Sequence, residues 1–583
     1  MNDERVFFMS WKEVFEQWKN EETLDSSLKS ELIEMEKDPN ALEDAFYTQL
    51  EFGTAGMRGL LGPGINRMNI YTVRQATEGL ARFMDTQDPE TKKRGVAIAY
   101  DSRHFSETFA MEAARTLAQH DIPSFVFEGL RPTPELSFAV RHLHAFTGIM
   151  ITASHNPAAY NGYKVYGEDG GQMPPADADA LTGFVREIEN PLEIPVLSEK
   201  EISTSGLISI IGEEVDHAYL ERIKEVTINH ALVEEMGKEL KLVYTPLHGT
   251  GRMLGERALK QAGFEKFVIE PNQGIPDPDF STVKSPNPEE AGAFEYAMTL
   301  GKKEEADLLI ATDPDADRLG AAVRLPNGDY QVLTGNQIGA IFIHYILEAH
   351  KQAGTLPKNA AVLKSIVSSE LPTAIAQSYG ATMMNVLTGF KFIAEKIEQF
   401  EEDHSYTFMF GFEESYGYLV KSFVRDKDAI QALVLLAEIA AYYKKAGKTL
   451  YDALQEIFET YGYYAEKTIS VTMSGQEGAA KIAALMSRFR EEAPTSFADI
   501  DVAIVEDFQA GTIVELATGD TKEMTTPASN VLKYQLVEGS WIAVRPSGTE
   551  PKIKFYIGVK ADSKEAADQK ISDLEAAINA LAE

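Results

Sequence analysis

Cysteine is absent from this 583-residue sequence, which excludes disulfides, thiolate catalysis and cysteine-based zinc or iron–sulfur sites. Also missing is any apolar run near the roughly 20 residues that a membrane-spanning helix requires. Cations are the scarcer charge: 55 Lys and Arg stand against 90 Asp and Glu, a formal net charge of −35. A field of that sign repels nucleic acid and anionic membrane, so neither is an expected partner. It repels anionic small molecules too, so any phosphate site has to be a local island of Arg, Lys, metal ion and backbone N–H groups. The opening MNDERVFFMSWKEVFEQW interleaves charges with Trp11, Phe15 and Trp18. It predicts an amphipathic helix and lacks the basic and apolar regions of a secretory signal. The expected setting is cytoplasmic.

Apolar material is ample at 44% of residues, and the length exceeds one compact core, so several domains are expected. Apolar runs such as GVAIAY (95–100), ELKLVY (239–244), ADLLIAT (306–312) and YTFMFGF (406–412) alternate with helical segments, the mark of α/β layers. The stretch SEKEISTSG (198–206) reads as a surface connector. The segment PNQGIPDPDFSTVKSPNPEE (271–290) reads as an ordered loop, because its Pro, Asn and Asp oppose helix and central strand. Near the end, VAIVEDF, TIVELA, SWIAVRP and IKFYIGVKA predict strands of a separate small α+β domain. Its closing helix carries Ile571, Leu574, Ile578 and Leu581 on one stripe.

Four loops carry chemistry. In GIMITASHNPAAYNGYKVYG (148–167) an apolar strand runs into a tight turn that places Ser154 just beyond the strand's carboxyl end. A serine hydroxyl there can accept and return a phosphoryl group if cations or a base lie near, and His155 and Lys164 are close in sequence. A hydrolase elbow does not fit, since G-x-S-x-G is missing. In ADLLIATDPDADRLGAAV (306–323) Asp313, Asp315 and Asp317 follow a buried strand. Their repulsion calls for a hard cation such as Mg²⁺ or Mn²⁺. An EF-hand is rejected, because Arg318 and Arg324 stand where that loop needs Gly and Glu. A haloacid-dehalogenase-type phosphotransferase would make Asp313 the nucleophile, but the third Asp and the following Arg318 fit a ligand cluster better.

The third loop, GFEESYGY (411–418), offers Glu413 and Ser415 to vicinal hydroxyls. Thr388, Gly389 and Lys391 of LTGFKF, with Arg425 and Lys427 of VRDKD, add to the positive island. The fourth, RPSGTEPKIKFY (545–556), is the strongest anion-binding segment. Arg545 presents a fork of donors, Ser547 and Thr549 add hydroxyls, and Gly548 permits a turn with inward N–H groups. The P-loop-like AGKT (446–449) is a decoy, since position 442 is Tyr and a helix precedes it.

In this order the strings T-A-S-H-N-P, D-P-D-A-D-R, G-F-E-E-S and R-P-S-G-T-E-P, with GTAGMRG (53–59) before them, resemble the α-D-phosphohexomutase family over essentially the whole chain. The match is nearest to its phosphoglucomutase branch. The resemblance implies three related mixed-sheet α/β domains and a C-terminal α+β domain around a central cleft, at 1–208, 209–324, 325–462 and 463–583. It implies that Ser154 is the phosphoserine and that Asp313, Asp315, Asp317 and a phosphoserine oxygen bind Mg²⁺. Arg58, Lys164 and His155 would serve the reacting group. Arg318, Thr388, Gly389, Lys391, Glu413, Ser415, Arg425 and Lys427 would contact the substrate. Arg545, Ser547, Gly548 and Thr549 would hold the phosphate that is not transferred. The implied reaction exchanges glucose 1-phosphate and glucose 6-phosphate through glucose 1,6-bisphosphate, in a monomer or homodimer. Mannose and pentose phosphates remain alternatives, as does a non-catalytic sugar-phosphate sensor. Some relatives place a His after Glu-x-Ser; here Tyr416, Gly417 and Tyr418 follow and His404 precedes, which leaves the acid/base open.

Overall fold

The computed structural model describes residues 10–53, 56–472, 475–546 and 552–582. The chain divides into two compact units: 1–322 with 326–332 and 417–438, and 323–325 with 333–416 and 439–583. Among the described residues, no helix is long and apolar enough to cross a membrane.

The first unit holds two mixed sheets. One runs in the order Met57–Leu60, Tyr160–Tyr166, Thr147–Ile151, Val96–Tyr100, Ser124–Phe127, Ile208–Ile211. The last four strands are parallel, and the first two run antiparallel to their neighbours. Val96–Tyr100 and Thr147–Ile151 are buried at every residue, which is why they read as unbroken apolar runs. The second sheet has the order Tyr330–Val332, Leu319–Arg324, Leu308–Thr312, Leu242–Thr245, Phe267–Ile269. Residues 271–290 contain no helix or strand, as their composition predicts. SEKEISTSG lies on the surface but is not irregular: Ser198 and Glu201 form a capping box that starts a short, unburied helix, Glu199–Ser205, ended by left-handed Gly206.

The expected amphipathic helix is Trp11–Asn20, with Phe15 and Trp18 buried. Trp18 packs edge-on against Phe46 and Tyr71, at centroid distances of 5.8 and 5.4 Å, so this helix anchors its neighbours onto Ile70–Asp85.

In the second unit, Thr382–Val386, Ala360–Ser365 and Thr407–Glu413 are parallel. The antiparallel sheet runs Tyr463–Thr472, Lys552–Ala561, Trp541–Pro546, Leu532–Leu536, Ile500–Asp507, Thr512–Glu515, Thr521–Glu523. Alternation assigns its two faces. Ile542, Val544, Phe555 and Ile557 join Leu574 and Ile578 of the closing helix Lys564–Ala582, while Ile571 and Leu581 pack at its margin. Trp541, Ala543 and Tyr556 face the other way and join Ile366, Val367 and Leu387 of the parallel layer.

Two stability predictions follow from this packing. Trp18→Ala removes a fully buried ring and is expected to cost about 3–5 kcal/mol, read as an earlier transition in thermal or urea unfolding. His120 contacts Glu78 at 2.7 Å and Asp85 at 3.3 Å. The Glu78 hydrogen bond, opposed by burial, raises the imidazole pKa. A raised folded value means that the pair's stabilisation is complete below about pH 6.5 and fades as pH rises through the folded pKa. The stability gap between wild type and His120→Gln should therefore be widest in acid and narrow toward alkaline pH; a gap that widens on going alkaline would contradict the assignment.

Candidate functional site

In the first unit the serine and aspartate loops meet. Ser154 follows the strand Thr147–Ile151 after two residues and adopts a left-handed backbone, φ 52°. Thr152 Oγ1 accepts the Ser154 N–H at 2.8 Å and donates to Asp101 at 2.6 Å. Ser154 is only 3% exposed, and its Oγ donates to Asp313 Oδ2 at 2.9 Å, with His155 Nδ1 at 3.2 Å. Enclosure, then the charges of Arg318 and Arg58, push the His155 pKa well below imidazole's ordinary value, so the ring is neutral at physiological pH.

Asp313, Asp315 and Asp317 lie just beyond the strand Leu308–Thr312, all buried, each offering an oxygen within 4.8 Å of the others. Asp313 Oδ1 accepts the N–H groups of Asp317 and Arg318 at 3.2 and 3.0 Å. Asp315 Oδ2 accepts Lys164 Nζ at 2.9 Å and Thr133 Oγ1 at 2.8 Å, and Thr133 N–H reaches the Asp315 carbonyl at 2.9 Å. Asp317 Oδ2 lies 3.2 Å from Lys427 Nζ and 3.8 Å from Lys164 Nζ. Burial, then the charges of Asp315 and Asp317, raise Asp313 well above the carboxylate range. Burial also opposes ionisation of Asp315, but the Lys164 charge and hydrogen bonds from Asp313, Lys164 and Thr133 outweigh it and hold that group far below its usual value. Asp315 Oδ1 and Asp317 Oδ1 are buried and accept no hydrogen bond among the described residues. Orphaned oxygens in an all-carboxylate cluster fit a hard divalent cation.

The loop's backbone is held from behind. Thr250 donates through N and Oγ1 to the Pro314 carbonyl at 2.8 and 2.9 Å. Gly249 permits this approach, because a Cβ there would sit 2.3 Å from Pro314 Cα. Lys164 and Gly162 belong to the strand Tyr160–Tyr166, and a Cβ on Gly162 would lie 2.6 Å from the Thr152 carbonyl, so NGYK needs its glycine to reach the serine loop.

Arg58 is exposed on Met57–Leu60 and donates to Asn156 Oδ1 at 3.0 Å. Arg318 pairs with Glu289 at 2.9 Å. Arg425 is fully buried and donates to the Ser422 carbonyl, and Lys427 pairs with Asp426 at 2.8 Å as well as with Asp317. These two residues lie in the first unit with the aspartates, whereas Lys391 lies in the second.

The second unit gathers the remaining loops. Glu413 ends Thr407–Glu413, and its Oε1 accepts Gly389 N–H at 2.7 Å, where Gly389 has φ 122° before the helix Phe390–Asp403. This bond joins the LTGFKF and GFEES strings. Thr388 Oγ1 is buried without a hydrogen-bond partner among the described residues, and Lys391 Nζ stands 5.3 Å from the Phe392 ring centre. Glu414 accepts from Ser365 Oγ and Ser368 Oγ at 2.8 and 3.1 Å, which fixes the chain on which Ser415 sits. Arg545 lies on Trp541–Pro546 opposite Lys554. Burial raises the Tyr556 phenol pKa, with Glu414 and Glu413 adding to the rise and Arg545 opposing it, so the sugar and phosphate strings share one electrostatic neighbourhood. Ser547, Gly548 and Thr549 lie outside the described residues.

Sequence reasoning passed over Thr133, Thr250 and Arg103. Their signal was faint: RPTPEL, HGTG and DSRHF each follow a strand end, but none has a spacing that names a ligand.

Comparison with known proteins identifies the family. Family models for phosphoglucomutase/phosphomannomutase alpha/beta/alpha domains I, II and III match residues 49–191, 217–327 and 334–461, and that for the C-terminal domain matches 490–572. A phosphoglucomutase of Staphylococcus aureus (strain bovine RF122 / ET3-1) is 40% identical over 530 residues, 91% of this chain and 93% of that one. One of Staphylococcus epidermidis is 41% identical over 533 residues, 91% and 94% of the two chains. Two solved structures share the fold. The pp63/parafusin phosphoglucomutase of Paramecium has TM-score 0.65 at 17% identity, covering 92% of this chain and 95% of that chain. A phosphoglucomutase/phosphomannomutase family protein of Burkholderia thailandensis has TM-score 0.64 at 18% identity, covering 92% and 98%. With all four domain types matched in order and curated relatives alike over nine-tenths of its length, the chain belongs to the phosphoglucomutase/phosphomannomutase family.

Proposed function

We propose that the chain interconverts α-D-glucose 1-phosphate and glucose 6-phosphate, with Ser154 carrying the phosphoryl group and glucose 1,6-bisphosphate as the bound intermediate. The observation that carries this reading is Ser154 Oγ at 2.9 Å from a buried carboxylate of a three-aspartate cluster, flanked by Lys164. Glucose is favoured over mannose because the curated relatives described above are phosphoglucomutases. The proposed domains are 1–208, 209–324, 325–462 and 463–583, one loop from each.

In the first half-reaction the P–O bond to Ser154 Oγ breaks as a bond to the free sugar hydroxyl forms, and the hydroxyl proton leaves. Lys164 is our assignment for the group that exchanges that proton, beside Arg58, which stabilises charge on the moving phosphoryl. The bisphosphate turns over, and its other phosphate returns to Ser154. His155, held neutral, orients the loop. Glu413 and Ser415 take the sugar hydroxyls, aided by Thr388, Gly389 and Lys391. Arg545, Ser547, Gly548 and Thr549 hold the idle phosphate, and a site that reads only phosphate accepts either end of the sugar. Arg318, Arg425 and Lys427 supply positive charge around the site. Asp313, Asp315 and Asp317 would hold Mg²⁺, with a phosphoserine oxygen, and the ion supplies positive charge against the transferring group.

Four measurements test this. Ser154→Ala should lower turnover of glucose 1-phosphate, with the bisphosphate present, by about a thousandfold or more, followed by NMR of glucose 6-phosphate. Mass spectrometry should find phosphate on Ser154, stable to hydroxylamine; a hydroxylamine-labile phosphate on Asp313 would replace this mechanism with an aspartyl-phosphate one. Chelation should abolish activity and Mg²⁺ restore it. Asp315→Asn should weaken Mn²⁺ binding by about tenfold or more, read by electron paramagnetic resonance; unchanged affinity would remove Asp315 from the ligand set.

A further inference from the structure

The Ser154 backbone sits where non-glycine residues are uncommon, and such a conformation persists only where its surroundings over-determine it. One side chain stands out as the restraint. Arg103 belongs to the turn DSRHF after Val96–Tyr100, and its side chain is completely buried. Its Nη2 donates to the carbonyls of Ser154 and Asn156, both at 2.5 Å. Its Nη1 donates to those of Pro157 and Tyr160, at 2.9 and 3.1 Å. One guanidinium thus binds four carbonyls of a seven-residue loop, a span its planar fork matches and an ammonium point charge does not.

Arg103 is itself fixed from two sides. Asp101 Oδ2 lies 3.3 Å from its Nε, and the same carboxylate oxygen accepts Thr152 Oγ1, so both flanks of Ser154 refer to Asp101. The Phe280 ring covers the guanidinium at 4.9 Å from its centre. Phe280 is 1% exposed and left-handed, φ 47°, at the middle of the Pro-, Asn- and Asp-rich loop 271–290. That loop also touches the serine turn itself, where Ser285 Oγ donates to the His155 carbonyl at 3.2 Å, and meets the Arg103 turn a second time through Asp279, 2.7 Å from His104.

We infer that Arg103, capped by Phe280, is a positioning residue for phosphoryl transfer: it holds the 154–160 backbone so that Ser154 Oγ faces the aspartate cluster, and acts without touching the sugar. This rests on the phosphoserine reading proposed above. Its effect falls on the transfer step and spares substrate affinity, because the groups assigned to the sugar and the idle phosphate lie on other loops.

The test compares full-length wild type, Arg103→Lys and Phe280→Leu with Mg²⁺ present. Steady-state rates give kcat and KM for glucose 1-phosphate, and intact mass follows the rate at which glucose 1,6-bisphosphate loads phosphate onto Ser154. Arg103→Lys should lower kcat and the loading rate together by about ten- to a hundredfold, with KM within about threefold. Phe280→Leu should move the same two quantities in the same direction by less. Arg103→Lys with kcat and loading within about twofold of wild type would overturn the inference, as would a loss carried by KM. If Arg103→Lys fails to fold, wild-type rates in Phe280→Leu would overturn it and a matched fall in both rates would support it. Wild type that never loads Ser154 would instead refute the phosphoserine mechanism, so the two failures are distinguishable.

Discussion

Three carboxyl groups within 4.8 Å of one another, all buried, cannot all ionise without compensating positive charge. Much of the first unit's local architecture answers that requirement. Lys164 arrives on the antiparallel strand Tyr160–Tyr166, Thr133 opens the helix Thr133–His142, and Lys427 comes from the segment that ends at 438. Backbone N–H groups of Asp317 and Arg318 complete the shell around Asp313. Two carboxylate oxygens, Asp315 Oδ1 and Asp317 Oδ1, accept no hydrogen bond among the described residues, which is the feature that separates a cation site from an acidic turn whose every oxygen has found a donor.

The same requirement reconciles a chain of net charge −35 with an anionic substrate. Acid is tolerable in bulk when the local field is set by a few nearby cations, since pairs at short range are screened far less than charges spread over the surface. Arg58, Lys164, Arg318 and Lys427 all lie in the unit that holds the aspartates. Several are already paired there, Arg318 with Glu289 and Lys427 with Asp426, so the positive island is an arrangement of ion pairs and not a bare patch.

What the sequence disclosed, it disclosed where chemistry and local geometry coincide. Strands buried on both faces announce themselves as apolar runs, and three aspartates on alternate residues announce a cation. The stripe Ile571, Leu574, Ile578 and Leu581 placed the closing helix correctly because a period near 3.6 needs no tertiary information. Arg103 and Thr133 were hidden for the opposite reason. Each acts on a partner distant in sequence, 51 and 182 residues away, through groups that look the same wherever an Arg or Thr occurs. Arg425 was legible as a cation but not as a packed one: it is completely buried and donates to a carbonyl three residues back. Residue type proposes a role, but the partner decides it.

The loop 271–290 extends this point. A stretch of that length without helix or strand inside a compact domain is uncommon unless it is functional. Its contacts reach both the serine and the aspartate loops: Phe280, through Arg103, and Ser285 on the serine side, and Glu289, through Arg318, on the aspartate side. Gly320 lets Pro288 press within 2.5 Å of where a Cβ would stand, so the loop's far end is seated on the strand that leaves the aspartates. A phosphoryl carrier must present its oxygen in the same place when it gives and when it receives, which a serine on an unrestrained turn cannot do. One irregular segment bearing on both loops couples their positions.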